Sequence, residues 1–302
     1  MFVDRKSEME ASKMRAKIMQ KGFNYSQDGP GNRLVYHLQG CNMRCKWCAN
    51  PESIVGQGVL VVHKEKLVES VCPYCAIQGQ ELNRAICQDC RELVCIHKNQ
   101  NAGIRFSCFE MTTEEIIEEV RESKPLFFDD GGVTFSGGEP TYQFIVLKEI
   151  LRRLKEENIT TAIETNATHE RLEELFPYID TLIMDLKHID TDMHRKYTGI
   201  SNKKIKENIG KAMEQHPKVW IRTPLIHGFN TNETYIKEFI AFYKQFNCAN
   251  VSFEMLQYHE YGREKWEQCG FAYEMHDGTI EKGLKEIFEE AYKVNGLNII
   301  RT

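Results

Sequence analysis

The chain has 302 residues, of which 41% are hydrophobic and 27% charged, a composition that argues against a collagen-like, membrane or wholly disordered protein. Its formal net charge is -5 with acidic and basic residues mixed throughout, so it lacks the basic footprint of a nucleic-acid binder. Residues 1–20 are charged and helix-like rather than a secretory signal, and no apolar run approaches the about 20 residues that span a bilayer. We therefore expect a globular, cytoplasmic protein.

Short β-branched runs alternate with longer amphipathic runs, which predicts a parallel sheet with crossover helices. The predicted strands are residues 34–39, 133–135, 160–163, 181–185, 219–222 and 251–256. The predicted helices are residues 113–123, 142–157, 168–176, 203–215, 231–246 and 279–294. Six such units are fewer than the eight of a closed TIM barrel, so the predicted fold class is α/β, a partial (β/α)6 TIM-like barrel.

Cysteines divide the chain into three parts. Residues 1–55 hold the first strand and a cysteine loop, residues 56–110 form a cysteine-rich insert, and residues 111–302 complete the barrel. Nine of the eleven cysteines lie between Cys41 and Cys108, and in a reducing compartment such clustering favours metal or redox chemistry over disulfides. Cys248 and Cys269 have no near partner and are expected to be buried free thiols.

Each predicted strand is followed by groups that bind metals, carboxylates, amines or hydroxyls. Parallel barrels place their active sites at this rim, so we expect the groups to converge there. In chain order they are Cys41; Ser136, Gly137, Gly138 and Glu139; Glu164, Thr165 and Asn166; Asp185 and Lys187; Arg222; and Gln257, Tyr258 and His259.

The spacing Cys-x3-Cys-x2-Cys at Cys41, Cys45 and Cys48 supplies three thiolates from one short loop. A cubane cluster has four irons, so one iron would keep an open position for a chelating amino acid. The competing interpretation is zinc held by three cysteines and a distant ligand. Trp47 inside the loop is either a core residue or a shield for the cluster and for one edge of a bound purine.

Taken together, these motifs resemble the radical SAM enzymes, specifically the glycyl radical enzyme activating enzymes of the pyruvate formate-lyase activating type. The matching segments are residues 28–33, 40–53, 133–140, 185–188, 197–199 and 258–260, with Gly262 and Trp266. The resemblance implies a [4Fe-4S] cluster on Cys41, Cys45 and Cys48 that cleaves S-adenosylmethionine. The resulting 5'-deoxyadenosyl radical would abstract hydrogen from a glycine Cα, with no catalytic side chain beyond the cluster and S-adenosylmethionine.

The same resemblance assigns roles around S-adenosylmethionine. Gly137, Gly138 and Glu139 would meet the methionyl amine, since glycines permit close approach and a carboxylate pairs with an ammonium. Lys187 and Arg222 would face the methionyl carboxylate or ribose, and His259 the adenine. Trp47, Thr165, Asn166 and Asp185 complete the expected binding set, although a lone Lys or His at such a position is more often a salt-bridged or core residue.

Two further sites come from the same resemblance. Glu164, Thr165, Met184 through its carbonyl and Asp185 match positions that hold a monovalent cation, although relatives commonly have Asp where this chain has Glu164. Asp28, Gly29 and Arg33 match a segment near the entrance for the partner's glycine loop. The simpler interpretation of that segment is a Gly-Pro turn.

The insert offers six thiols, Cys72, Cys75, Cys87, Cys90, Cys95 and Cys108. A ferredoxin-like insert with two clusters needs eight, so we expect one auxiliary [4Fe-4S] cluster. A structural zinc site is the alternative, because two Cys-x2-Cys pairs also build a zinc ribbon.

The main functional hypothesis is an activase whose substrate is a glycyl radical enzyme and whose electron donor is a flavodoxin or ferredoxin. It would be oxygen-sensitive and work anaerobically as a monomer, without nucleic acid or membrane. A radical SAM enzyme that acts on a small molecule is the second hypothesis, and a non-catalytic electron-transfer or zinc protein is the third.

Overall fold

The structure is a computed structural model that describes residues 14–69, 72–87, 90, 92–97, 103–128 and 130–302. An eight-stranded sheet, in the order β12-β11-β10-β9-β8-β2-β1-β7, forms its centre. The strands are β1 (Arg15–Tyr25), β2 (Asn32–Leu38), β3 (Leu60–Val62), β4 (Ile77–Gln78), β5 (Glu81–Leu82), β6 (Ile104–Phe106), β7 (Phe109–Thr112), β8 (Gly132–Gly137), β9 (Thr161–Thr165), β10 (Thr181–Asp185), β11 (Val219–Leu225) and β12 (Val251–Gln257).

Strands β2 and β8 to β12 are parallel neighbours, which confirms the predicted partial barrel. All six predicted strands are present, and β10 has the predicted bounds. Their central residues, such as Ile163, Leu182 and Ile221, are buried because crossover helices cover one face and the barrel interior lies on the other.

The prediction of a helix-like start is wrong for residues 15–20, which belong to β1, whereas residues 1–13 lie outside the described residues. Strand β1 pairs antiparallel with β2 on one side and with β7 on the other. Ala16 and Ile18 are buried while Lys17 between them is only half-buried, and this period of two is the strand pattern. Sequence analysis missed β1 because its charged residues were interpreted as a helix-like start, and it missed β7 because that strand has only four residues.

The α-helices in chain order are α1 (Arg84–Cys87), α2 (Val94–His97), α3 (Thr113–Ser123), α4 (Phe144–Glu156), α5 (Thr191–Thr198), α6 (Lys203–Gln215), α7 (Glu233–Tyr243), α8 (Arg263–Cys269) and α9 (Leu284–Val294). Helices α3 and α6 have the predicted bounds. The helix predicted at residues 168–176 is instead a 3-10 helix at Leu172–Tyr178, which contains Pro177. Proline removes a helical hydrogen bond and clashes with the preceding turn, so an α-helix does not form there.

Helix α4 shows how the helices attach to the sheet. Val146, Leu147, Ile150, Leu151 and Leu154 are buried along one face, at the spacing that places side chains on a single stripe. Full burial of each such side chain contributes about 1.5 to 3 kcal/mol. The helix is thereby fixed against the strands that carry the rim.

Between β2 and β8 the insert forms a small core of its own. Strand β3 pairs with β6, and β4 pairs with β5 in a hairpin. Val62, Ile77 and Ile104 are buried together at its centre. Within the described part of the chain, no helix is both long enough and apolar enough to span a membrane.

Candidate active site

A cavity of about 360 Å³ opens at the carboxyl ends of the parallel strands, where sequence analysis predicted a site. The predicted residues that line it are Cys41, Cys45, Trp47, Cys48, Gly137, Gly138, Glu164, Thr165, Asn166, Asp185, Lys187, Arg222 and His259. The structure therefore brings the cysteine loop and the other five strand ends to one place.

The cysteine loop is fixed by backbone hydrogen bonds on both sides. The Gly40 amide donates to the Ser53 carbonyl at 2.8 Å, and the Glu139 amide donates to the Gly40 carbonyl at 2.8 Å. On the opposite side the Arg44 amide donates to the Thr198 carbonyl at 2.8 Å. The Tyr197–Gly199 motif noted in the sequence thus supports the loop from the end of α5.

The three thiols of the loop lie in a buried environment. Burial, with the Glu139 carboxylate nearby, raises the pKa of the Cys41 thiol to about 12. Burial likewise raises the pKa of Cys45 and Cys48. Iron binds thiolates, so metal binding must displace these protons, and the Lys187 ammonium favours the ionised forms of all three. Three thiols from one loop that face one cavity fit a cluster with an open iron.

The glycines of the Ser-Gly-Gly-Glu-Pro segment are required by close backbone packing. Gly137 has φ of +117°, which disfavours residues with a Cβ. The Gly138 amide donates to the Leu38 carbonyl at 3.0 Å, which aligns this segment with the turn into the cysteine loop. The two glycines line the cavity with their backbone, as a site for the methionyl amine would need.

The Glu139 carboxylate has protein partners in this structure, and its predicted pairing with the methionyl amine stays a prediction. It is 1% exposed and accepts from the Thr141 amide and hydroxyl, the Thr165 hydroxyl and the Asn166 amide at 2.5 to 3.0 Å. Four protein donors satisfy both of its oxygens. Glu139 therefore joins the ends of β8 and β9 instead of facing the cavity.

Asn166 connects the end of β9 to the cysteine loop. Its side-chain amide donates to the Asn42 side chain at 2.8 Å and lies 4.0 Å from the Cys41 sulfur. Through Glu139, Thr165 and Asn166, the strand ends and the loop form one connected polar network.

Arg222 donates to protein acceptors from all three of its nitrogens, and its predicted place facing the methionyl carboxylate or ribose stays a prediction. Its Nε donates to Glu254 at 2.7 Å, and its other nitrogens donate to Glu164 and to the Gln27 carbonyl. Burial opposes its charge, but the two carboxylates raise the pKa of Arg222. Arg222 borders the cavity as part of an internal ion network.

The side chains predicted to bind a monovalent cation have protein partners in this structure, and the cation site itself stays a prediction. Glu164 accepts from Arg222 and from the Ser136 hydroxyl at 2.7 Å. Asp185 accepts from Lys187 at 2.6 Å, and the Thr165 hydroxyl donates to Glu139. Met184, predicted to act through its carbonyl, lies in β10. Burial opposes the charge of Lys187, but Asp185 and the Cys45 thiol together raise its pKa.

Trp47 and His259 both line the cavity. The Trp47 ring packs 4.9 Å from Phe229 and 6.4 Å from Tyr197, so this residue serves both the core and the cavity wall. His259 is exposed and stacks on Tyr261 at 4.3 Å. Both rings lie where a purine could pack.

Helix α8 clamps the cysteine loop, a role that sequence analysis did not assign. The Trp266 indole N–H donates to the Cys48 carbonyl at 2.9 Å, and Lys265 reaches Asn50 at 3.1 Å and Glu52 at 3.2 Å. The family resemblance had already marked Gly262 and Trp266 without a function for either.

The segment at residues 28–33 is a turn into β2. Arg33 is 0% exposed and donates to Thr134 at 2.7 Å and to the carbonyls of Val133, Thr160 and Pro30. The guanidinium thus connects residues at the amino-terminal ends of the strands, and the predicted place of Arg33 at a partner entrance stays a prediction. Gly29 is also buried, and Asp28 is half-buried.

In the insert, Cys72, Cys87, Cys90 and Cys95 line one small apolar cavity. Burial and the nearby Cys72 thiol raise the pKa of Cys87 and Cys95. Cys75 is exposed, and Cys108 lies apart, near Lys17 and Glu110. No group of three or more His, Cys, Asp or Glu side chains within the described ranges is arranged to hold a single metal ion. The metal of the insert stays a prediction.

Comparison with known proteins gives matches over most of the chain. The profile of the Radical SAM superfamily matches residues 35–240. The chain is 33% identical over 290 residues to 4-hydroxyphenylacetate decarboxylase activating enzyme of Clostridioides difficile, covering 89% of this chain and 90% of the relative. It is 33% identical over 259 residues to isethionate sulfite-lyase activating enzyme of Nitratidesulfovibrio vulgaris, covering 79% and 82%.

Among solved structures, Streptococcus suis SuiB bound to precursor peptide SuiA is similar with a TM-score of 0.51 at 16% identity. The match covers 88% of this chain and 47% of that chain, and it supports the fold alone.

Proposed function

This chain belongs to the radical SAM superfamily and to its glycyl radical enzyme activating enzymes, and on that basis we propose how it acts. It cleaves S-adenosylmethionine reductively and transfers the radical to a glycine Cα of a partner enzyme. The observation that carries the proposal is the convergence of the Cys41, Cys45 and Cys48 thiols with the other five strand ends on one cavity.

The chain's own residues bind and orient the reactants. Cys41, Cys45 and Cys48 would hold a [4Fe-4S] cluster, which supplies when bound an electron and an open iron for the methionyl group. The backbone of Gly137 and Gly138 forms one wall of the cavity, and Lys187 places a positive charge beside the thiols. Trp47 and His259 border the side where the adenine would pack.

The partner is proposed to be a glycyl radical enzyme, as the names of the relatives indicate for those proteins. His259 lines the cavity, and Tyr261, which stacks on His259, is 82% exposed. A protein loop could reach the cavity from this side. We further propose a flavodoxin or ferredoxin as electron donor and a monomeric enzyme.

The insert is proposed to bind one auxiliary [4Fe-4S] cluster, with zinc as the alternative. Four thiols complete such a site, and Cys72, Cys87, Cys90 and Cys95 surround one apolar cavity. Cys75, which is exposed, and Cys108, which lies near Lys17 and Glu110, are left out of this set.

The test combines the anaerobically reconstituted enzyme, a reductant, S-adenosylmethionine and a candidate glycyl radical enzyme from the same organism. The expected result is 5'-deoxyadenosine together with a glycine-centred doublet by EPR. Cys45→Ala should abolish iron binding and both products, whereas Cys248→Ala, remote from the cavity, should retain them. Cleavage without a doublet for any such partner would favour a small-molecule substrate instead.

A further inference from the structure

The carboxylates of the barrel interior are neutralised by the chain's own cations. Glu164 on β9 and Glu254 on β12 both bind Arg222 on β11, and Asp185 on β10 binds Lys187. The Ser136 hydroxyl on β8 donates to the second oxygen of Glu164 at 2.7 Å. Five neighbouring strands or their ends thus contribute to one charge network.

The length of the Glu164 side chain makes this network possible. Glu164 lies opposite Ile183 in the β9–β10 register, and Arg222 lies opposite Asp185 in the β10–β11 register. The carboxylate must therefore reach past β10 to contact a guanidinium two strands away. An aspartate at this position is one methylene shorter and would leave the carboxylate short of Arg222.

The carboxylates of the network have cationic partners in the chain itself. Arg222 pairs with Glu164 and Glu254, and Lys187 pairs with Asp185. A bound monovalent cation would have to displace Arg222 or Lys187 from a buried partner, and a buried charge that loses its partner is costly.

We infer that the Arg222 guanidinium, bound to Glu164 and Glu254, supplies the positive charge that a monovalent metal ion would otherwise supply in this barrel. S-adenosylmethionine therefore binds without a monovalent metal ion. The inference rests on the proposed function, because it concerns how the same cavity binds the same cofactor. Arg222 acts as a positioning residue for the strand ends that line the cavity.

The test measures the dissociation constant of S-adenosylmethionine for the anaerobically reconstituted enzyme by titration calorimetry. Buffers of equal ionic strength contain potassium, sodium or only tetramethylammonium. The constant of the wild-type enzyme should differ by less than about threefold among the three salts. A difference of about threefold or more in favour of potassium or sodium overturns the inference and leaves the proposed function intact.

Glu164→Asp provides the matched variant, because it keeps the carboxylate but shortens the side chain by one methylene, so that the carboxylate no longer contacts Arg222. Its affinity for S-adenosylmethionine should become dependent on potassium or sodium by at least about threefold. Arg301→Gln, which removes an exposed partner of Glu289, is the control and should stay insensitive. If Glu164→Asp is as insensitive as the wild type, the Glu164–Arg222 pair is not the cause. Failure of the wild type to bind S-adenosylmethionine in any salt would overturn the proposed function and this inference with it.

Discussion

At the scale of single residues, Gly138 lies where the end of β8 touches the turn into the cysteine loop. A Cβ at this position would meet the Gly40 carbonyl carbon at 2.9 Å and the Ser53 carbonyl oxygen at 3.1 Å. Both are backbone atoms, which cannot rotate away as a flexible side chain can. The identity of this residue therefore controls the position of Cys41, which follows Gly40 directly.

We expect Gly138→Ala to lower the free energy of unfolding by about 1 to 3 kcal/mol, because the added methyl group forces the backbone apart. It should also lower the iron content after reconstitution, since Cys41 would shift with Gly40. Gly22→Ala is the matched control, because a Cβ there has no atom within 4 Å. Urea unfolding and iron analysis of both variants provide the measurement. Equal midpoints and equal iron content would contradict the proposed packing role.

The identity of the site residues could be predicted from sequence, but the direction of their side chains could not. Lys187, Asp185 and the three cysteines line the cavity as expected. Glu139 follows β8 and Arg222 lies in β11, yet their charged groups also bind protein partners at least 26 residues away in the chain, such as Thr165 and Glu254. Motif spacing carries no information about such distant partners.

At the scale of elements, helix α8 contacts the cysteine loop through the Trp266 indole as well as through Lys265. Trp266→Phe keeps the ring packing and removes the donor to the Cys48 carbonyl. A lost hydrogen bond costs about 1 kcal/mol, so iron release to a chelator should become about fivefold faster. Trp220→Phe is the control, because Trp220 is as buried as Trp266 but lies on β11. Equal release rates for both variants would show that the bond does not hold the loop.

In the insert, we expect some cysteines to bind the auxiliary metal and others not to bind it. Cys95→Ser should remove the auxiliary metal, because Cys95 lines the cavity shared with Cys72, Cys87 and Cys90. Cys75→Ser should retain the metal, because Cys75 is exposed. Iron and zinc analysis of the two purified variants measures the site and identifies its metal.

Cleavage of S-adenosylmethionine with an artificial reductant should survive in Cys95→Ser, since the main loop has its own three thiols. Loss of metal in Cys75→Ser, with retention in Cys95→Ser, would refute the proposed ligand set.

Elements with strong periodicity were predictable, and elements without it were not. Helices α3 and α6 have long amphipathic patterns and were predicted to the residue. Helix α5 has only eight residues, bounded by the Asp190 cap and by Gly199 at φ of +87°, and it was missed. In the insert the sequence offered six thiols without pairing information, and only the hairpin and short helices show which four share a cavity.

At the scale of the whole molecule, the parallel order of strands was predictable because each strand–helix unit repeats the same pattern. The antiparallel extension by β1 and β7 was not, since β7 follows the insert and pairs with a strand about 90 residues earlier in the chain. Strands β1 and β7 continue the sheet beyond β2 and so cover that edge of the parallel strands. This extension also places the insert beside α8, where the Arg84 guanidinium donates to the Gln268 carbonyl at 2.7 Å.

Buried histidines tie the stability of the whole fold to pH. His194 is fully buried, its Nδ1 donates to the Ile200 carbonyl at 2.7 Å, and its Nε2 has no hydrogen-bond partner in the part of the chain that is described. Burial, with smaller contributions from Lys187 and His188, lowers the pKa of His194 from 6.5 to about 4. His216 shows the same direction of shift for the same first cause, burial.

Because the pKa of His194 is lower in the folded state, the unfolded chain takes up a proton first as the pH falls. The contribution of neutral, buried His194 to the free energy of unfolding is fully present above about pH 6.5. It decreases by roughly 2.5 kcal/mol towards about pH 4.5. His194→Gln removes this dependence, so the difference in unfolding free energy between wild type and variant should shrink by that amount over the range. Urea unfolding as a function of pH measures it, with His276→Gln at an exposed position as the control. A difference that stays constant with pH would show that His194 is protonated equally in both states.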